Sequence, residues 1–137
     1  MRQTTSWSHE TVLAAGAVSA SRARDFVRVH LVDHQLPHLV EDVRLVVSEF
    51  ATNAVTHAGT PFTVVLLGED RLVLLTVRDG SPSPPVQVAA QAMDTGGRGL
   101  FIVDMLSRDW GVDISPDGVK SVWAAFDSYP AVAPTTC

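Results

Sequence analysis

Apolar positions along the chain recur first at helical spacing and then at strand spacing. From Ser19, the stretch SASRARDFVRVHLVDHQL brings Ala23, Phe26, Val27, His30 and Leu31 onto one side of a helix. The spacing predicts a helix over about 20–34, with Ser19 or Ser21 as its N-cap and Pro37 closing it. The following HLVEDVRLVVSEFATNAVTHAG sets Leu39, Val43, Val46, Val47, Phe50 and Ala54 on a single stripe, the pattern of a second helix with one face in a core. Gly59 stops it, and Pro61 reinforces the stop.

Strand-like composition follows. FTVVLLG (62–68) and RLVLLTVRD (71–79) are β-branched and aliphatic, and only Glu69 and Asp70 separate them, which predicts an antiparallel hairpin with a tight turn. Next come twenty residues, GSPSPPVQVAAQAMDTGGRG, with three prolines and four glycines, where neither helix nor strand has footing. Helical spacing restarts at Leu100–Leu106, and Trp110–Ile114 with Val119–Phe126 read as another strand pair joined by the turn SPDG. Before the first helix, MRQTTSWSHE is polar around Trp7, and Thr11–Ala20 is small and apolar without a clear period, a strand or a lead-in. The order helix, helix, hairpin, long loop, short helix, hairpin suits an α+β fold. It is a two-layer sandwich with helices on one face of a mixed or antiparallel sheet.

Composition narrows the class. At 137 residues the chain has the length of one domain, with its core expected over about 20–126 between a polar start and a Pro/Ala-rich tail. Its only cysteine, Cys137, excludes a disulfide framework and a cysteine zinc site, so a reducing cytosol is the expected setting. A formal charge of −5 argues against nucleic acid as a partner, because duplex affinity rests on Lys and Arg. The apolar runs are far shorter than the ~20 residues of a bilayer span, and the opening residues lack the apolar core of a signal peptide. A soluble, cytoplasmic protein is the expectation.

The candidate chemistry starts on the second helix. Glu49 and Asn53 are four apart, within about 40° around the axis and ~6 Å along it, so they share a face beside the apolar stripe. A carboxamide oxygen can ligate Mg²⁺ while a neighbouring carboxylate takes a proton from a nucleophile. By itself such a pair is common on solvated helices. His57, four residues further on, falls near the stripe and reads as a packing residue. Asp79 closes the second strand of the hairpin, where an ionised carboxylate is either a solvated turn residue or an acceptor for an exocyclic amine. Gly96, Gly97, Arg98 and Gly99 open the helix that begins near Leu100; glycines there are either a hinge or a phosphate cradle at a helix N-terminus. His30, His34 and His38 read as a solvated face, and Trp110 and Trp123 as core residues of the last hairpin.

Order and company decide among these alternatives. SEFATNAVTHAG resembles the N box, VRDGSPSPP the G1 box and TGGRGLFIVDML the G2 box of the Bergerat ATP-binding fold. That fold is shared by DNA gyrase, heat-shock chaperones, histidine kinases and mismatch-repair ATPases. Within it, the chain is most similar to small bacterial anti-sigma-factor serine/threonine kinases and their actinobacterial relatives, a resemblance covering about residues 20–126.

The resemblance implies ATP and Mg²⁺ as cofactors and assigns roles by position. Asn53 would ligate the metal and Glu49 would polarise the attacking hydroxyl or water. Asp79 would accept a hydrogen bond from the adenine amine, and Gly97, Arg98, Gly99 and Leu100 would hold the phosphates. Ser121 stands where the family often has a threonine beside adenine. Ser81 departs from the common Asp-x-Gly pattern, adding a Cβ to that turn, and residues 83–94 would form the lid. The implied function is phosphorylation of an antagonist protein with regulation of a sigma factor, in a possible homodimer. The alternative is an ATP-responsive binding switch that transfers no phosphate.

Overall fold

A computed structural model of the protein describes residues 6–80 and 98–129. Its elements are β1 (Ser6–Leu13), α1 (Ser19–Asp33), a 3-10 turn (Pro37–Leu39), α2 (Val40–Asn53), a π turn (Ala54–Ala58), β2 (Phe62–Glu69), β3 (Leu72–Asp79), α3 (Arg98–Leu106), β4 (Asp109–Ile114) and β5 (Lys120–Asp127). The strands form one five-stranded sheet in the order β1-β2-β3-β5-β4, and every neighbouring pair is antiparallel. Five antiparallel strands with helices make the α+β sandwich that the element order predicts.

Alternation along the strands decides which side the helices cover. Phe62, Val64 and Leu66 of β2, Val73, Leu75 and Val77 of β3, and Ala124 and Phe126 of β5 are buried on one face. Against them lie Ala23, Val27 and Leu31 of α1 and Val43, Val46, Val47 and Phe50 of α2. Each of the Val, Leu and Phe side chains in this interface contributes about 1.5–3 kcal/mol by leaving water, and the alanines less. α1 packs on β1 and β2, α2 packs on β3, and α3 packs on α2.

Two turns form at their expected residues and a third one residue later. Gly59 ends the second helical segment with a left-handed φ of 66°, its N–H bonding Ala54 O at 3.2 Å to close the π turn. Asp70 takes a φ of 52° in the two-residue β2–β3 turn, which is Asp70–Arg71 and not Glu69–Asp70, because Glu69 still pairs with Leu72. Gly118, at φ 91°, completes the Ser115–Gly118 turn between β4 and β5.

Other expectations need correction. The sheet begins at Ser6, well before residue 20, because β1 pairs along all of β2 and thereby completes the sheet edge. Ser19 does not cap α1; its hydroxyl donates to Ala14 O at 2.5 Å in the approach to the helix. His30 and His34 are not on a solvated face. The Trp7 ring stacks on His34 at 3.9 Å and His9 stacks on His30 at 3.8 Å. The Nε2 atoms of His9 and His34 lie 2.9 Å apart. Alternation brings Trp7 and His9 onto the helix side of β1, where α1 presents the two histidines one turn apart. His38 stacks on Tyr129 and donates to the Ser128 carbonyl. Trp110 packs against the core, as expected, but Trp123 lies on the face away from the helices, across Gly111.

Two measurements test this packing. Trp7 lies over Gly68, where an added Cβ would overlap the indole; Gly68→Ala should cost about 1–3 kcal/mol in urea unfolding, and an unchanged midpoint would contradict the contact. Burial, and next the charge of His9, hold the pKa values of His30 and His34 below their ordinary 6.5, with Asp33 opposing. A lowered folded-state pKa means that the unfolded chain binds protons first as pH falls, so stability is complete above about 6.5 and declines below it. The melting temperature should drop from about pH 7.5 to about pH 5, and His34→Gln should flatten that profile.

Candidate functional site

The helix carrying Glu49 and Asn53 is pinned by its neighbours on the stripe. Val46, Val47, Phe50 and Ala51 are buried, and so is Ala54 immediately after. Glu49 and Asn53 therefore come out half-buried at the margin of the helix–sheet interface. No hydrogen bond or ion pair between described residues engages either side chain. The wider π turn continues from Asn53 and packs on β3, keeping this end of α2 close to the strand.

Asp79 is the last residue of β3 and only 4% exposed. It has the same parity as Val73, Leu75 and Val77, so it lies on the helix side of the sheet. Its cross-strand partners are Phe62 on β2 and Lys120 on β5. Lys120 is 5% exposed, and its Nζ lies 3.4 Å from Asp79 Oδ2. The two charges thus form a buried ion pair at the sheet end where α2 and the π turn pack.

The remaining predicted positions divide three ways. The backbone of α3 starts at Arg98 and runs through Gly99 and Leu100, with the helix packed on α2, so its N-terminus is the element expected to receive phosphates. The side chains of Arg98 and Leu100 are outside the described residues, as are His57's side chain, Ser81, Gly97, residues 83–94 and Cys137. Ser121 stands on the face of the sheet opposite to Asp79. The register pairs it with Arg78 on β3 and Asp113 on β4, and these three, with Leu74, Thr76 and Trp123, line an open groove of about 430 Å³ on the opposite face of the sheet.

Lys120 is the residue that sequence reasoning missed. In VKSVWAAF both alternating sets contain apolar residues, so periodicity alone does not tell which set faces the helices. The signal was available only through pairing: counting back from Val122 opposite Val77 puts Lys120 opposite Asp79.

The donor set fits a nucleotide with its metal. Glu49 and Asn53 offer oxygens, which suit a hard ion such as Mg²⁺. Asp79, when ionised, offers an acceptor in a largely dry position at the other side of the same interface.

Comparison with known proteins agrees with this geometry. Residues 13–124 match the family model described as histidine kinase-like ATPase domain. The fold is similar to the crystal structure of the RsbU and RsbW domains of Rv1364c from Mycobacterium tuberculosis, with a TM-score of 0.66 and 20% sequence identity. That match covers 87% of this chain and 32% of the other, so the chain spans about a third of the length of the solved protein. None of the curated proteins compared with the chain matches it. A family match over most of the length, on a five-stranded antiparallel sheet with helices, leads to one conclusion: the chain belongs to the histidine kinase-like ATPase domain family.

Proposed function

We propose that this domain is an anti-sigma-factor-type serine/threonine protein kinase: it binds ATP with Mg²⁺, transfers the γ-phosphoryl group to a serine of an antagonist protein, and thereby regulates a sigma factor. The observation that carries the reading is the half-buried placement of Glu49 and Asn53, one turn apart, near the end of α2, the helix that packs against β3. A site that only senses nucleotide needs the metal ligand but not a base beside it.

The roles follow from side-chain chemistry. Asn53 holds the metal through its amide oxygen, and the ion supplies neutralisation of phosphate charge when bound. Glu49 accepts the proton of the incoming serine hydroxyl as that oxygen bonds to the γ-phosphorus and the bond to the β-phosphate oxygen breaks. Asp79 accepts from the adenine amine. Backbone N–H groups at the start of α3, Arg98 to Leu100, hold phosphate oxygens, and Gly97, the residue before them in the chain, and the charge of Arg98 serve the same group in this reading. Ser81, two residues after Asp79 in the chain, is a further nucleotide-binding residue in this reading.

The similarity to the structure of RsbU and RsbW domains supports the fold on which this reading stands. Among the described residues no helix is long and apolar enough to cross a membrane. The partners are proteins, a sigma factor and its antagonist, and a second copy of the chain is a further candidate.

Two experiments test the reading. ATP with Mg²⁺ at roughly 100 times its Kd should stabilise the protein by about 2.7 kcal/mol in thermal unfolding; no shift at saturating nucleotide would remove the basis of the proposal. With labelled ATP and an antagonist, Glu49→Ala should slow transfer by about 10²–10⁴-fold while leaving nucleotide binding nearly intact. A nucleotide-dependent complex of wild-type protein that gains no label would support the binding switch instead.

A further inference from the structure

We propose that Lys120 is a base-recognition residue of the nucleotide site: its ammonium donates a hydrogen bond to the ring nitrogen next to the exocyclic amine that Asp79 accepts. This rests on the reading of Asp79 as the adenine acceptor and adds a residue that neither motif nor resemblance indicated.

Three observations carry it. The first is position. Asp79 and Lys120 are directly opposed in an unbroken antiparallel register, so both side chains stand on the helix face at the same end of the sheet. The second is the lack of another candidate on β5. Its helix-facing set is Lys120, Val122, Ala124 and Phe126, of which only Lys120 is polar, and the hydroxyl of Ser121 is on the far face beside Arg78. The third is the state of the pair. Both residues are buried, at 5% and 4% exposure, with Nζ 3.4 Å from Oδ2. An ammonium has three donors, and one directed to the carboxylate leaves two for a ligand.

The chemistry of the base completes the argument. The Watson–Crick edge of adenine sets a donor, the 6-amine, beside an acceptor, N1. An ionised Asp only accepts and a Lys only donates. A neighbouring Asp and Lys on one wall therefore present the complement of that edge. The pair also keeps each charge paired in the absence of ligand, which a lone buried carboxylate would not be.

The test uses the full chain and titration calorimetry with three nucleotides in Mg²⁺: ATP, 1-deaza-ATP, which carries C–H in place of N1, and purine riboside triphosphate, which lacks the 6-amine. Wild-type protein should bind 1-deaza-ATP roughly 10- to 100-fold more weakly than ATP, the scale of a hydrogen bond to a charged group. Lys120→Met should lose ATP affinity to a similar degree and should no longer prefer ATP over 1-deaza-ATP. Should Lys120→Met fail to fold, Lys120→Arg, which keeps the charge and a donor but moves it, should fold and shift the ratio of ATP to 1-deaza-ATP affinity from the wild-type value; an unchanged ratio would overturn the role of Lys120. Equal binding of ATP and 1-deaza-ATP, with a penalty for purine riboside triphosphate, would overturn the role of Lys120 and leave that of Asp79 standing. No binding of ATP by wild-type protein would overturn the nucleotide reading and this inference together.

Discussion

Two charges stand where the packing of a small domain calls for hydrocarbon. Asp79 and Lys120 cap the face of β3 and β5 that the helices cover, continuing rows otherwise made of Val73, Leu75 and Val77 on one strand and Val122, Ala124 and Phe126 on the other. Removing one partner from a buried pair costs about 3–5 kcal/mol, whereas replacing both with well-packed apolar groups is often neutral or stabilising. The pair is therefore a weak device for stability, and its position at the end of the sheet beside α2 accords with a role in ligand recognition. Its geometry depends on the unbroken one-to-one register of β3 against β5, which sets every other contact on that face.

The same register constrains the other side of the sheet. Arg78, Ser121 and Asp113 share a row on the open face, and Thr76 and Trp123 share the next. Trp123 lies flat over Gly111, where a Cβ would come within 2.8 Å of the ring. The two faces therefore differ in kind: one is closed by α1 and α2 and ends in buried charge, and the other is half-open and mixed. A hydroxyl and an ammonium adjacent in sequence belong to different surfaces because successive side chains on a strand point oppositely.

α2 couples the core to the candidate chemistry. Its buried stripe fixes the helix against the sheet, and the residues just off the stripe, Glu49 and Asn53, emerge at the rim. The left-handed Gly59 ends the π turn and lets the chain enter β2 directly. At the opposite edge, β1 is held to α1 by the stacked rings of Trp7, His9, His30 and His34. The bond between the Nε2 atoms of His9 and His34 requires one of the two nitrogens to accept, so it cannot form with both rings protonated.

The chain by itself determined a good deal. The 3.6-residue stripe of α2, the β2–β3 hairpin with its two-residue turn, the Gly59 stop and the SPDG turn are local patterns, and each forms as the local physics directs. The same holds for the neighbourhood of Glu49 and Asn53, because positions four apart on a helix share a face in any context. Three features were not legible. β1 has little apolar periodicity and is a strand because β2 offers it an edge. The histidines cluster because α1 happens to cross beneath β1. The exchange of Ser121 for Lys120 beside Asp79 follows from which face of β5 the helices cover, and in a strand with apolar residues on both faces only tertiary pairing decides that.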